Sequence, residues 1–171
     1  WGRPGESKGF EYVIQAVPAI KEKITNALFL LMLGSPEKYK RKYSQLRQLI
    51  NQLQIQDEVM VIPSVSYREL GYYIKAADCI VIPSISEGFG YTALEAASLD
   101  KPLVVSDAGS LPEVVSGKYQ IFRKKDVADL AQKVSKIAQK EWECKPLNLK
   151  KFAWKECIDS YLRIYEELIK N

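Results

Sequence analysis

A chain of 171 residues that is 47% hydrophobic and 27% charged, with both signs mixed, suits one globular domain with a substantial core and excludes disorder. The net charge is a mild +4, no signal peptide is visible, and no apolar run approaches the roughly 20 residues of a membrane span. Histidine is absent, which removes the commonest general base and metal ligand and leaves proton handling to carboxylates, to a substrate or to a partner. Cys79, Cys144 and Cys157 stand far apart without metal-ligand spacing and read as reduced thiols of a cytoplasmic protein, mostly filling core. The start at Trp1 reads as a domain of a longer protein.

Apolar runs alternate with amphipathic stretches almost from end to end. Residues 10–24 carry Val13, Ile14, Val17 and Ile20 on one helical face, and Pro18 inside it predicts a kink or a helix in two pieces. The apolar run 27–33, closed by Gly34-Ser35-Pro36, predicts a buried strand. Residues 37–53 read as a helix with Leu46, Leu49, Ile50 and Leu53 facing inward. The same helix gathers Lys38, Lys40, Arg41, Lys42 and Arg47. Lacking interleaved aromatics and a docking motif, these cations read as a solvated face rather than a contact for anionic lipid or nucleic acid. A strand at 59–62 ends at Pro63, and Ser66 caps a short helix at 67–77 with Glu69 completing a capping box. Strands follow at 79–82, 103–105 and 119–122, and helices at 91–98, 111–115 and 126–140. Short strands separated by helices mean parallel βαβ units in a doubly wound α/β sheet. Residues 143–149 read as a linker. The aromatic-rich helix 152–169, with Trp154, Ile158, Tyr161, Leu162 and Tyr165 in its apolar set, either closes its own domain or packs on something beyond it.

Two loops at the carboxyl edge of this sheet carry the chemistry. The strand 79–82 stops at Pro83, and the loop Glu87-Gly88-Phe89-Gly90 leads into a helix at Tyr91. Free N–H groups and the positive helix end there make an anion site, for phosphate above all. Glu87 and Glu95 bracket it and can accept hydroxyl hydrogen bonds, so phosphate and polyol together suggest a sugar nucleotide. The second loop, Gly2-Arg3-Pro4-Gly5-Glu6-Ser7-Lys8-Gly9, brings two cations on a backbone that can approach a ligand closely. Either cation alone reads as an exposed loop charge; two such loops at one edge are harder to dismiss.

These motifs resemble the C-terminal, donor-binding domain of a GT-B fold retaining glycosyltransferase of family 4, or group 1. The resemblance rests on Gly2-Arg3 with Lys8-Gly9, Val65-Ser66 before Arg68-Glu69-Leu70, Ala77-Asp78 before Pro83-Ser84, and Glu87-Gly88-Phe89-Gly90 with Leu94-Glu95-Ala96. Lys101-Pro102-Leu103-Val104-Val105-Ser106-Asp107 and Leu111-Pro112-Glu113-Val114-Val115 complete it, so it covers nearly the whole chain. It implies a Rossmann-like, doubly wound parallel sheet over residues 1–142, its first strand truncated at the N-terminus. Residues 143–171 would be a linker and a helix crossing back onto an N-terminal domain.

The resemblance further implies that Arg3 and Lys8 hold the donor diphosphate, with Gly2 and the N–H groups around Gly90, Tyr91 and Thr92 beside it. Glu95 would accept from both ribose hydroxyls. Glu87, Gly88 and Phe89 would meet the transferred sugar, with Val65 against the base. Glu87 has also been considered as a nucleophile in this family; the sugar-binding role is preferred. The expected donor is a UDP- or GDP-sugar, with no cofactor and no metal. The implied partners are this donor and an acceptor-binding N-terminal domain of the same protein, not nucleic acid, with peripheral membrane contact left open for the full-length protein. Asp100, Ser110 and Tyr91 depart from common family residues and bear on donor preference. Asp100 stands where the helix end often turns left-handed, a conformation Asp tolerates. A non-catalytic sugar-nucleotide-binding regulatory domain is the alternative reading, whereas a dinucleotide oxidoreductase fails for want of G-x-G-x-x-G after the first strand.

Overall fold

The computed structural model describes residues 1–146 and 154–169. A 3-10 turn (Glu6–Lys8) leads into α1 (Phe10–Lys21), β1 (Phe29–Leu33), α2 (Lys40–Gln52), β2 (Val59–Pro63) and α3 (Tyr67–Ala76). Then come β3 (Ile80–Ile82), α4 (Tyr91–Ser98), β4 (Leu103–Ser106), α5 (Leu111–Val114), β5 (Gly117–Phe122), α6 (Val127–Ala138), β6 (Glu143–Lys145) and α7 (Trp154–Ile169).

β1 and β2 pair in parallel, Phe29 opposite Val59. β3, β4 and β5 form a second parallel set in that order, and β6 runs antiparallel along β5. Gly2 lies beside β1 as a single parallel bridge to Leu33, its N–H donating to the Met32 carbonyl at 3.0 Å. All four residues of β4 are buried, as a strand covered on both faces requires. Its alternation divides the core. Val104 meets Val13, Ala16 and Ile20 of α1 with Leu130 and Val134 of α6. Leu103 and Val105 meet Ala93, Ala96 and Ala97 of α4 and Leu111 of α5. α2 buries Tyr43, Leu46 and Ile50 against Leu31, Leu33 and the Ile14–Val17 face of α1. The result is the expected α/β arrangement, helices on both faces of largely parallel strands.

Several details depart from the sequence reading. α1 is one helix through Pro18 and not two pieces; the proline falls in its last turn and removes a single bond, to the Ile14 carbonyl. Residues 143–145 are not linker but β6; Glu-Cys-Lys shows no alternation, and the pairing is set by the backbone of β5. Only Cys79 packs against the core, where burial pushes its thiol up to about 12, while Cys144 and Cys157 are exposed. α7 has no buried residue. Phe152, expected to open that helix, lies outside the described residues. Two local readings match: the Ser66–Glu69 capping box forms, and Asp100 takes φ +53°.

Candidate functional site

Parallel strands carry the chain repeatedly to one edge of the sheet, and both motif loops lie there. Gly9 ends the first loop with φ +62°, and a Cβ on it would stand 2.1 Å from the Pro83 carbonyl oxygen. Only glycine lets the two loops lie in contact. The contact is hydrogen-bonded: the Ile85 and Ser86 N–H groups donate to the Ser7 carbonyl at 2.7 and 3.3 Å. On the far side Gly109, at φ +53°, leaves room for the Glu87 carbonyl, which a Cβ would meet at 2.0 Å.

This stitching brings Lys8 and Glu87, 79 positions apart, to 2.7 Å as an ion pair with side chains 26% and 13% exposed. Glu87 also accepts from the Ser84 hydroxyl at 3.2 Å and from the Gly90 N–H. Burial raises the carboxyl's pKa. The Lys8 hydrogen bond and charge, the Ser84 hydroxyl and the Gly90 N–H together outweigh it and hold Glu87 below the usual carboxylate range. Ser84 is itself fixed, buried with its carbonyl accepting from the Ser106 hydroxyl.

Gly90 caps α4 and its carbonyl accepts from the Ala93 N–H at 2.9 Å. Tyr91 and Thr92 are the first two residues of α4, so their N–H groups lie at the positive end of the helix, where an anion is favoured. Phe89 and Tyr91 place their rings 4.6 Å apart across this entry. Glu95 sits one turn in and accepts from the Trp1 indole N–H at 3.1 Å. Between them Trp1, Lys8, Phe10 and Thr92 line a space of only about 20 Å³. Wider hollows lie along α2, and this edge offers only a small recess between the two loops.

The residues singled out from sequence therefore divide. Lys8, Glu87 and Gly90 are bonded together, Gly88 and Phe89 lie in the loop between, and Thr92 and Glu95 follow on the same helix. Gly2 is held at its bridge to β1. Arg3 is exposed at the same edge, and no ion pair or side-chain hydrogen bond among the described residues engages it. Val65 follows β2, half-buried, without a bond to the cluster. Sequence reasoning gave no role to Ser84 or Trp1. Ser84 was signalled by its place after the β3 proline; for Trp1 only its neighbour Gly2 pointed to the edge.

Among solved structures, sucrose-phosphate synthase from Thermosynechococcus elongatus superposes with a TM-score of 0.73 at 22% identity, over 99% of this chain and 44% of that one. HepE from Anabaena, in complex with UDP and glucose, gives 0.67 at 23% identity, over 80% of this chain and 40% of that one. Both are GT-B glycosyltransferases, and at these identities they establish the fold. An uncharacterized glycosyltransferase of Methanocaldococcus jannaschii is 37% identical over 114 residues, 67% of this chain and 28% of that protein. The chain spans 26% to 42% of the length of the curated relatives it matches. The family model for glycosyl transferases group 1 matches residues 1–155, from the first loop through both motif loops and beyond α6. A match of that extent shows that this chain belongs to the glycosyl transferases group 1 family.

Proposed function

We propose that this chain is the donor-binding, C-terminal domain of a retaining glycosyltransferase and holds a UDP- or GDP-sugar against the edge formed by the first loop and the start of α4. The observation that carries the reading is the convergence of Lys8 and Glu87 beside the start of α4 at Tyr91 and Thr92. The bound UDP and glucose of the HepE structure support it by analogy. In this reading the diphosphate meets Lys8, Arg3 and the helix N–H groups, Glu95 takes the ribose diol, and the base lies against Val65. Glu87, Gly88 and Phe89 meet the transferred sugar.

The chemistry follows from where charge develops. As the anomeric C–O bond breaks, the sugar becomes oxocarbenium-like and negative charge collects on the departing diphosphate. Cations and N–H dipoles already aimed there stabilise that charge without reorganising, and this reading calls for no metal or cofactor. Glu87, accepting from three donors with its pKa held down, is a weak nucleophile, which favours an orienting role. The acceptor would be held by an N-terminal domain of the same cytoplasmic protein. The exposed apolar residues of α7, Trp154 at 81% among them, are available to cross onto that domain.

A thermal-shift panel of UDP-, GDP- and ADP-sugars with chelator present tests the proposal. A ligand bound only by the folded state at a hundred times its Kd stabilises by about 2.7 kcal/mol. At least one nucleotide sugar should raise Tm in chelator; no shift with any of them contradicts the proposal.

A further inference from the structure

α2 concentrates the charge of the chain. Residues 38–56 hold five of the 25 cations and none of the 21 acids. The remainder therefore carries 20 cations against 21 acids, or −1, so the chain's positive excess resides on α2 and the residues that flank it. Lys38, Lys40, Arg41 and Arg47 are exposed. Lys42 is the one drawn aside, its ammonium 3.5 Å from the Glu11 carboxylate. The nearest exposed acid in sequence, Glu37, already accepts from the Ser35 hydroxyl. Hollows of about 340 and 680 Å³ flank the crest, the first between Arg41 and the Pro4–Gly5 turn, the second between Lys40 and Arg47.

We propose that the outward crest of α2 is a docking face for an anionic bilayer surface. The cations of α2 fall between Lys40 and Arg47, about 10 Å of helix that can lie flat on headgroups. With Lys38 just before the helix, the exposed Lys and Arg number four, a cluster of the size that anionic lipid attracts. Single-stranded nucleic acid is the poorer fit, because it calls for aromatic platforms. Tyr43 is buried with its hydroxyl donating to the Leu33 carbonyl at 3.0 Å, and Tyr39 packs against the same core. The contact is electrostatic and superficial: no helix among the described residues is long and apolar enough to cross a membrane. Docked this way, the chain presents the rim of its first loop close to the headgroups. The inference stands independently of the donor assignment.

Co-sedimentation of the 171-residue chain with phosphatidylcholine vesicles, with and without phosphatidylglycerol, tests this. Binding should require the anionic lipid. It should be strong at about 0.01 M salt and lost at about 1 M, where the Debye length falls from roughly 30 to 3 Å. Each surface cation contributes about five-fold to partitioning, so Lys40→Gln/Arg41→Gln/Arg47→Gln should weaken it on the order of 100-fold with Tm unchanged. Salt-insensitive binding to neutral vesicles would assign the contact to the apolar face of α7 and overturn the proposal. So would equal binding by the triple variant, no binding at low salt, or preference for single-stranded RNA at equal phosphate concentration.

Discussion

Glu87→Gln should tighten binding of a plain nucleoside diphosphate. Lys8 is already committed to Glu87 at 2.7 Å, with both side chains mostly buried. An arriving diphosphate must draw the ammonium away from this carboxylate and tolerate its negative charge nearby. A hydrogen bond to a charged group contributes about 1.5–3 kcal/mol net and a neutral one about 1 kcal/mol. The amide thus releases roughly 0.5–2 kcal/mol of competition, a gain of about 2- to 30-fold in affinity. The same substitution should impair use of the complete sugar donor by the full-length protein, since the sugar loses a carboxylate acceptor. The pair also gives a pH signature. With its folded pKa lowered, Glu87 contributes stability that is in place above the usual carboxylate range and lost as pH falls through the lowered value; the Gln variant should lack that component. Calorimetric titration of both forms with UDP and GDP reads the affinity directly. Ten-fold weaker binding by the variant would show that Glu87 positions Lys8 for phosphate and does not compete for it, and the reasoning would be wrong.

Other substitutions separate the remaining roles. Glu95→Gln should weaken every nucleotide by about 0.5–2 kcal/mol whichever sugar is attached, because its partner is the ribose; an effect confined to one sugar would move Glu95 to the sugar subsite. Gly9→Ala forces a left-handed Ala and a Cβ 2.1 Å from the Pro83 carbonyl oxygen, so about 2–5 kcal/mol of stability should be lost. At this chain length that is a fall in Tm of roughly 5–15 °C; an unchanged Tm would mean the two loops are not pressed together. The 171-residue chain should bind donor yet transfer no sugar to acceptor, since positioning of both reactants supplies several kcal/mol of such a barrier. Transfer at the rate of the full-length protein would refute the division of labour between two domains.

How far the sequence could be read depended on whether each signal was local. α4 falls where expected because Gly90 opens it and Asp100 with Pro102 closes it, all within a few residues. The Ser66–Glu69 cap is local for the same reason. β6 was missed because its three residues carry no pattern, and its existence depends on the open edge of β5. The candidate site shows the same limit. Both loops were legible as motifs, and the resemblance supplied roles for Arg3, Lys8, Glu87 and Glu95. That Lys8 and Glu87 would neutralise one another depends on Gly9 lying under Pro83, a tertiary contact no spacing reports. The Trp1 bond to Glu95 is likewise a product of the fold. The apolar stripe of α7 was visible in the sequence, while its complete exposure became visible only in the structure.

Calorimetry of UDP and GDP against UMP and GMP, with chelator present, on the wild-type chain and on Arg3→Ala and Lys8→Ala, tests the central claim most directly. The account predicts that a diphosphate binds more tightly than its monophosphate without metal, and that each substitution costs about 1.5–3 kcal/mol, roughly 10- to 150-fold, in diphosphate affinity. Equal affinity for mono- and diphosphate, strict dependence on a divalent metal, or indifference to both substitutions would contradict a diphosphate site at this edge of the sheet.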